Sequence, residues 1–264
     1  MTKLFRMSDL GKLNFYLGIE IHQEHDRIML CQTAYAKCLL ERAGLSDYNP
    51  ASTPIQARLK LSKDSVGDAV DVTYYQSIIR GLRYLTHTRP DISFAVGSEQ
   101  VHGGPCCRSL HGGEEPAVLH IAGTLEHGCA FKRGKGELKL TGYSDSDHAR
   151  DIVDRKSTTG AIFFLGIWLA RLLGQMLNKE TVSSKLFVDN KSTISLSKNH
   201  VFHDRSKHTE IRFHFIRECM EGGKIDIDYI RTSDQLADAL TKGLGCLAFQ
   251  ELRRRIDMTG VLRK

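Results

Sequence analysis

Along residues 14–31, apolar and polar positions alternate. The stretch "LNFYLGIEIHQ" does so in its second half, and "DRIMLCQ" reads as the return strand after a turn at His25 and Asp26. The period then lengthens. In "QTAYAKCLLERAGL" a helical stripe runs through Tyr35, Cys38, Leu39 and Leu40, and Gly44 supplies the stop. "NPASTP" is a loop punctuated by Pro50 and Pro54, and the polar residues 57–72 read as a linker. A second stripe follows on Tyr75, Ile78, Ile79, Leu82 and Leu85. A further helix is expected to open at Pro90, where Asp91 sits beside the positive end of the helix dipole. Residues 98–117 follow neither a 3.6 nor a 2.0 period and read as irregular.

The C-terminal half is more regular. "ELKLTGYSDSD" and "TTGAIFFLG" are strands, and "IWLARLLGQML" is an apolar helix with Trp168, Leu169, Leu172, Leu173 and Met176 on its buried side. "SSKLFVDN" is a buried strand ending in Asp189, with a helix starting directly after it. "HTEIRFHFIRECMEGGK" is amphipathic through Ile211, Phe215, Ile216, Cys219 and Met220. "IDIDYI" alternates cleanly, and "TSDQLADALTKG" opens with a capping box from Thr232 to Gln235. The order β, β, α, β, α, β, α predicts an α/β (α+β) chain whose C-terminal half is a mixed sheet flanked by helices.

A chain of 264 residues with 41% hydrophobic content can bury a core, in one large domain or two small ones. The formal charge of +6 is compatible with a polyanionic partner without requiring one. Most of that excess lies in 137–264. The seven cysteines include no CxxC pair, which fits a reducing compartment rather than a disulfide framework. His102, Cys106, Cys107 and His111 make a poor zinc set, because adjacent cysteines span a tetrahedral site badly. No apolar core of a secretory signal stands at the start, and no apolar run is long enough to span a membrane. A cytoplasmic or nuclear chain with no membrane partner is expected.

The chemistry concentrates in acids. "GYSDSDHARD" sets Asp145 and Asp147 two positions apart, on one face of a strand. Two carboxylates so placed either hold a cation or are solvated at an exposed strand end. Asp189 ends a later strand, and Asp238 lies in the last turn-initiated helix. Acids at the ends of neighbouring strands can gather in one crevice, and three or four carboxylates suit the hard ion Mg²⁺. Each also has a plainer reading, Asp189 as a turn residue and Asp238 as a solvated helix residue. Arg205, Lys207, His208 and Arg212 form a basic cluster at a helix start, suited either to phosphate contacts or to plain solvation.

The segments "MSDLGKLNFYLGIEI", "GLRYLTHTRPDISFAV", "GYSDSDHARD", "RKSTTGAIFFLG", "FVDNKSTISLSKNHVFHDRSKHTEIRFHFIRE" and "DQLADALTKGL" resemble, in order, motifs of the C-terminal part of the Pol polyprotein of copia-type LTR retrotransposons. The resemblance covers nearly the whole chain except 98–117. It implies that residues 1–56 are the end of a reverse transcriptase, with Leu17 and Gly18 in a hairpin that grips the primer strand. Residues 57–136 would be a connection region, and 137–264 a ribonuclease H domain, which cuts RNA in an RNA–DNA hybrid with Mg²⁺ and four carboxylates. By motif, Asp145, Asp189 and Asp238 are the first, third and fourth of these. The partner is then a nucleic acid, not a small-molecule substrate.

Two departures bear on activity. No Y-x-D-D occurs, so polymerisation is not expected of this chain. "AIFFLG" runs directly into "IWLARLL", where the family has another strand and then a helix bearing the second acid. Roughly 20–30 residues are missing by ordinary element lengths. Glu180 is the nearest downstream acid but matches no motif. The expectation is a degenerate enzyme with little or no cleavage. The alternatives are a non-catalytic nucleic-acid-binding protein or a product without function.

Overall fold

Two compact units divide the chain in the computed structural model: Met1–Gly134 together with Gly243–Lys264, and Lys135–Lys242. The structure describes residues 11–57, 71–102, 116–132, 141–146, 157–164, 184–198 and 218–261. Residues 243–261 thus fold with the first unit, whereas the resemblance groups them with 137–264.

The first unit holds an antiparallel sheet of order β1-β2-β3-β4-β9, made of Phe15–Tyr16 (β1), Ile19–Gln23 (β2), Arg27–Cys31 (β3), His127–Lys132 (β4) and Met258–Gly260 (β9). Both hairpin turns have two residues. Glu24 N–H donates to the Arg27 carbonyl, which closes the expected turn at His25 and Asp26. Between β1 and β2, Leu17 and Gly18 both take positive φ, 47° and 74°, as a primed turn demands. The Tyr84 hydroxyl donates to the Leu17 carbonyl and fastens that turn.

Helices α1 (Thr33–Ala43), α2 (Val72–Leu85), α3 (Ser93–His102), α4 (Pro116–Ala122) and α5 (Cys246–Arg255) belong to the same unit; a short 3-10 turn at Pro90–Ile92 leads into α3. Helix α1 ends as expected, with Gly44 at φ 67° and Leu45 N–H reaching back to the Leu40 carbonyl. Its buried face is Ala36, Leu39, Leu40 and Ala43; Cys38, placed on that stripe from the sequence, is exposed. Asp71 caps α2 by accepting from Thr73 N–H at 2.8 Å. Leu39, Leu40, Leu45, Ile78, Leu82, Leu85, Ile92 and Ile121 form the shared core. Helix α3 continues through 98–102, inside the stretch that the pattern marks as aperiodic, because Ala95 and Val96 anchor it to the interior. The remainder of that stretch up to residue 115, including Cys106, Cys107 and His111, lies outside the described residues.

A buried ion pair crosses this unit. Arg89 grips Asp91 with two hydrogen bonds of 2.9 Å and donates two more, of 2.8 Å, to the carbonyl and hydroxyl of Thr124. Both charged side chains are at most 2% exposed.

The second unit is a mixed sheet of order β6-β5-β7-β8, from Thr141–Ser146 (β5), Thr159–Phe164 (β6), Ser184–Val188 (β7) and Ile225–Tyr229 (β8). β6 runs antiparallel to β5, while β7 and β8 run parallel to it and to each other. Lys191–Lys198 forms a further helix after β7. The predicted helix at 232–243 is instead a pair of 3-10 turns, Thr232–Asp234 and Leu236–Leu240. Gln235 separates them with an extended ψ of 106°, because its side chain is committed twice: its oxygen accepts from Ala237 N–H and its nitrogen donates to the Ser144 carbonyl. The expected capping box is replaced by this tie to the central strand. The apolar helix expected at 167–177 lies outside the described residues.

Candidate metal centre

Asp145 stands near the C-terminal end of β5, and Asp189 directly follows β7. The register pairs Ser144 with Val188, so the next residue on each strand is one of these acids. Parallel neighbours thereby bring two carboxylates to the same end of the sheet. Asp238 reaches them from the 3-10 turn. Carboxylate oxygens of Asp145, Asp189 and Asp238 all lie within 4.8 Å of one another. Asp145 and Asp238 are each 7% exposed, and Asp189 is half-buried.

A glycine makes this approach possible. Gly160 lies opposite Asp145 on β6, and a Cβ there would come within 2.7 Å of Leu240 Cβ and 2.8 Å of Thr241 Cγ2. Only a bare backbone lets the turn carrying Asp238 rest against the strand carrying Asp145.

Lys242 offsets part of the gathered charge. Its ammonium donates to Asp238 at 2.7 Å and lies 3.3 Å from Asp145. Burial alone would lower the Lys242 pKa, but the two carboxylates outweigh it and hold it above the usual lysine value. Burial pushes the Asp238 carboxyl up; the Lys242 hydrogen bond and charge oppose this, and Asp145 and Asp189 add to the rise. The Thr241 hydroxyl donates to Asp145. Beside the cluster, a cleft of about 460 Å³ runs between Asp145, Asp189, Lys191 and the apolar Leu186, Val188 and Ile227. Asn190 caps the adjoining helix by accepting from Ser192 and Thr193 N–H, which fixes the backbone just after Asp189.

Residues 1–57 match the family described as "Reverse transcriptase (RNA-dependent DNA polymerase)". The chain is 33% identical to the retrovirus-related Pol polyprotein from transposon RE1 of Arabidopsis thaliana, over 99% of this chain and 20% of that protein. Against the Pol polyprotein from transposon TNT 1-94 of Nicotiana tabacum it is 30% identical, over 92% of this chain and 21% of the relative. An uncharacterized mitochondrial protein of Arabidopsis thaliana is 35% identical over 63% of this chain and 68% of its own length. The chain belongs to the Pol polyproteins of copia-type retrotransposons. It spans about a fifth of the length of the transposon relatives RE1 and RE2. No solved structure matches this Pol fragment.

The fragment's three motif acids are brought together; Asp147 and Glu180 lie outside the described residues, as do Arg205, Lys207, His208 and Arg212. Leu17 and Gly18 sit at the β1–β2 turn of the other unit, with the Leu17 side chain 71% exposed. Sequence reasoning passed over Lys242, Thr241, Gln235 and Gly160. The first three follow Asp238 or precede it within four positions, where a lysine at i+4 is a legible signal. Gly160 shows its purpose only through the strand register.

Proposed function

We propose that residues 137–242 derive from a ribonuclease H that cut the RNA strand of RNA–DNA hybrids during reverse transcription, and that this chain retains little or no cleavage. The observation that carries this reading is the meeting of Asp145, Asp189 and Asp238 at the end of a mixed sheet with parallel β5, β7 and β8. The donor set is all carboxylate oxygen, as a hard divalent ion requires, so Mg²⁺ fits these residues. When bound, such ions supply an activated water and neutralise a leaving oxygen in phosphodiester cleavage. Asp145 and Asp238 would hold the ion from buried positions and Asp189 from the more open side, facing the cleft. Thr241 and Gln235 orient this set. Lys242 occupies the space between Asp145 and Asp238 and must yield to a cation.

A shortfall of ligands would account for the lost activity. The RE1 and RE2 alignments extend over 296 and 297 positions, against 264 residues here, so at least 32 positions of the alignment lack a counterpart in this chain. A gap of that size is large enough to hold the strand and helix that bear the second of the family's four acids. With one ligand gone, metals bind more weakly and sit out of place, and misplacement of about 1 Å can lower a rate on the order of a hundredfold.

The first unit would be the end of the polymerase, with the Leu17–Gly18 turn against the primer strand. A purified chain incubated with a labelled RNA–DNA hybrid and Mg²⁺ tests the proposal. No cleavage is expected, and Mn²⁺ or Mg²⁺ binding should fall with Asp189→Asn. Hybrid cleavage that Asp189→Asn abolishes would refute the loss of activity. Divalent binding indifferent to that substitution would refute the ancestry of the site.

A further inference from the structure

The first unit holds a second cluster of metal-ligating side chains, with different donor chemistry. Strand alternation puts Glu20 and His22 on one face of β2, and Glu20 is registered directly opposite Cys31 on β3. Cys31 Sγ lies 3.7 Å from Glu20 Oε2, and His22 Nε2 lies 3.9 Å from the same oxygen. One ligand atom from each of the three falls within 4.8 Å of the others.

We propose that Glu20, His22 and Cys31 form a zinc site on the β2–β3 hairpin, with a water in the fourth position. A thiolate, an imidazole and a carboxylate are the donors that Zn²⁺ takes, whereas Mg²⁺ and Ca²⁺ reject sulfur. Bond lengths of about 2.0–2.3 Å in a tetrahedron imply ligand–ligand edges on the order of 3.3–3.8 Å. The Glu20–Cys31 separation already fits, the Glu20–His22 one is slightly long, and the Cys31–His22 edge, within 4.8 Å, has to shorten by at most about 1.5 Å, within reach of a side-chain rotation of the exposed His22.

The surroundings suit the role. Ala34 N–H donates to Glu20 Oε1 at 2.8 Å, which holds one carboxylate oxygen and leaves Oε2 toward Cys31 and His22. The Thr33 hydroxyl donates to the Cys31 sulfur at 3.6 Å. Cys31 is fully buried, while the His22 side chain is 43% exposed, so an ion and its water reach the site from the His22 side.

Charge balances as well. On binding, the Cys31 S–H bond breaks, the proton leaves to solvent and the sulfur keeps the electron pair that it gives to zinc. Thiolate and carboxylate then carry two negative charges against the ion's two positive ones. A neutral assembly tolerates the half-buried position. This site is independent of the carboxylate cluster and of the ribonuclease H reading.

Cobalt titration of the chelator-treated full chain tests the proposal, since Co²⁺ replaces Zn²⁺ and a cobalt–thiolate bond absorbs in the near ultraviolet. The expected result is that Cys31→Ser binds one equivalent fewer than the unaltered chain and loses its thiolate absorption. His22→Gln and Glu20→Gln should weaken that equivalent at least tenfold, and Cys38→Ser should change nothing. His22 is half-exposed, so its variant keeps the fold, which far-ultraviolet circular dichroism verifies. Stoichiometry and absorption unaltered in Cys31→Ser, or His22→Gln binding as tightly as the unaltered chain, would overturn the assignment.

Discussion

Replacing Arg89 with Met should unfold the first unit more easily, by an amount that depends on pH in a calculable way. The substitution keeps most of the aliphatic volume but removes all four hydrogen bonds from the guanidinium. Asp91, 1% exposed, is then left with His120, whose Nε2 is 3.8 Å away. In the intact protein, burial alone would raise the Asp91 pKa. The Arg89 charge and its hydrogen bonds, together with the nearby His120 ring, outweigh it and hold the carboxyl well below its usual range. Without Arg89 the buried carboxylate takes up a proton rather than remain charged. Protonating a carboxyl of ordinary pKa 3.8 at pH 7 costs about 4 kcal/mol, at 1.36 kcal/mol per unit. That figure caps the charge penalty and agrees with the ~3–5 kcal/mol typical of breaking a buried pair. The cap falls to about 1.6 kcal/mol at pH 5, because the proton is easier to acquire. Urea denaturation followed by circular dichroism measures both values. The midpoint should drop by roughly 1–4 M at pH 7, for m-values of about 1–3 kcal/mol/M, and by less than half as much at pH 5. Arg89→Met combined with Asp91→Asn should recover part of the loss. A pH-independent loss, or one under about 1 kcal/mol, would refute the claim that the exposed cost is an unpaired buried charge.

Other substitutions probe other links. Leu17→Asn relieves a left-handed residue of about 1 kcal/mol of strain. Melting should rise by roughly 2–4 °C, while hybrid affinity falls if the exposed Leu17 tip meets the primer strand; an unchanged melt would deny the strain. Gly160→Val forces a Cβ into Leu240 and Thr241, so stability should fall by about 1–3 kcal/mol. Divalent-ion affinity should fall with it, because Asp238 is displaced, and retained affinity would deny the coupling. Burial, with help from the charges of Arg253 and Arg89, lowers the His127 pKa from 6.5 to about 4. Between those values the unfolded chain binds a proton that the folded chain refuses. Stability should therefore be full above about pH 6.5 and decline as the pH falls toward 4, a slope that His127→Gln removes.

The hairpin, the α1 stop at Gly44 and the strand-ending acids were legible because local chemistry decides each of them. A two-residue turn, a left-handed glycine and a hydrophobic alternation depend on neighbours within a few positions. The 3-10 turns at 232–240 were not legible. "TSDQLADALTKG" has ordinary helical propensity, and what breaks it is Gln235 bonding to the Ser144 carbonyl, a partner 91 positions away. Cys38 misled for a related reason. Its stripe fits either of two adjacent helical faces, and packing against α2 chose the one with Ala36 and Ala43. The Glu20–His22–Cys31 cluster escaped the sequence pattern because His and Glu alternate as any polar strand residues do. Only the β2–β3 register sets Cys31 beside them.

The carboxylate centre also has to hold together without a metal ion. Three acids gathered within 4.8 Å would repel each other and resist burial. Yet Lys242 already pairs with Asp145 and Asp238, and the Thr241 hydroxyl donates to the same Asp145 oxygen that Lys242 approaches. The internal cation relieves the repulsion that would otherwise make metal a requirement for folding. A loss of catalysis of the kind proposed therefore need not bring loss of the fold at this end of the sheet. Lys242→Met separates ion affinity from stability: it removes the competing ammonium and should raise divalent-ion affinity while lowering stability in ion-free buffer. Equal stability with and without Lys242 in the absence of divalent ions would show that the acids need no such partner, and that their assembly rests on strand register alone.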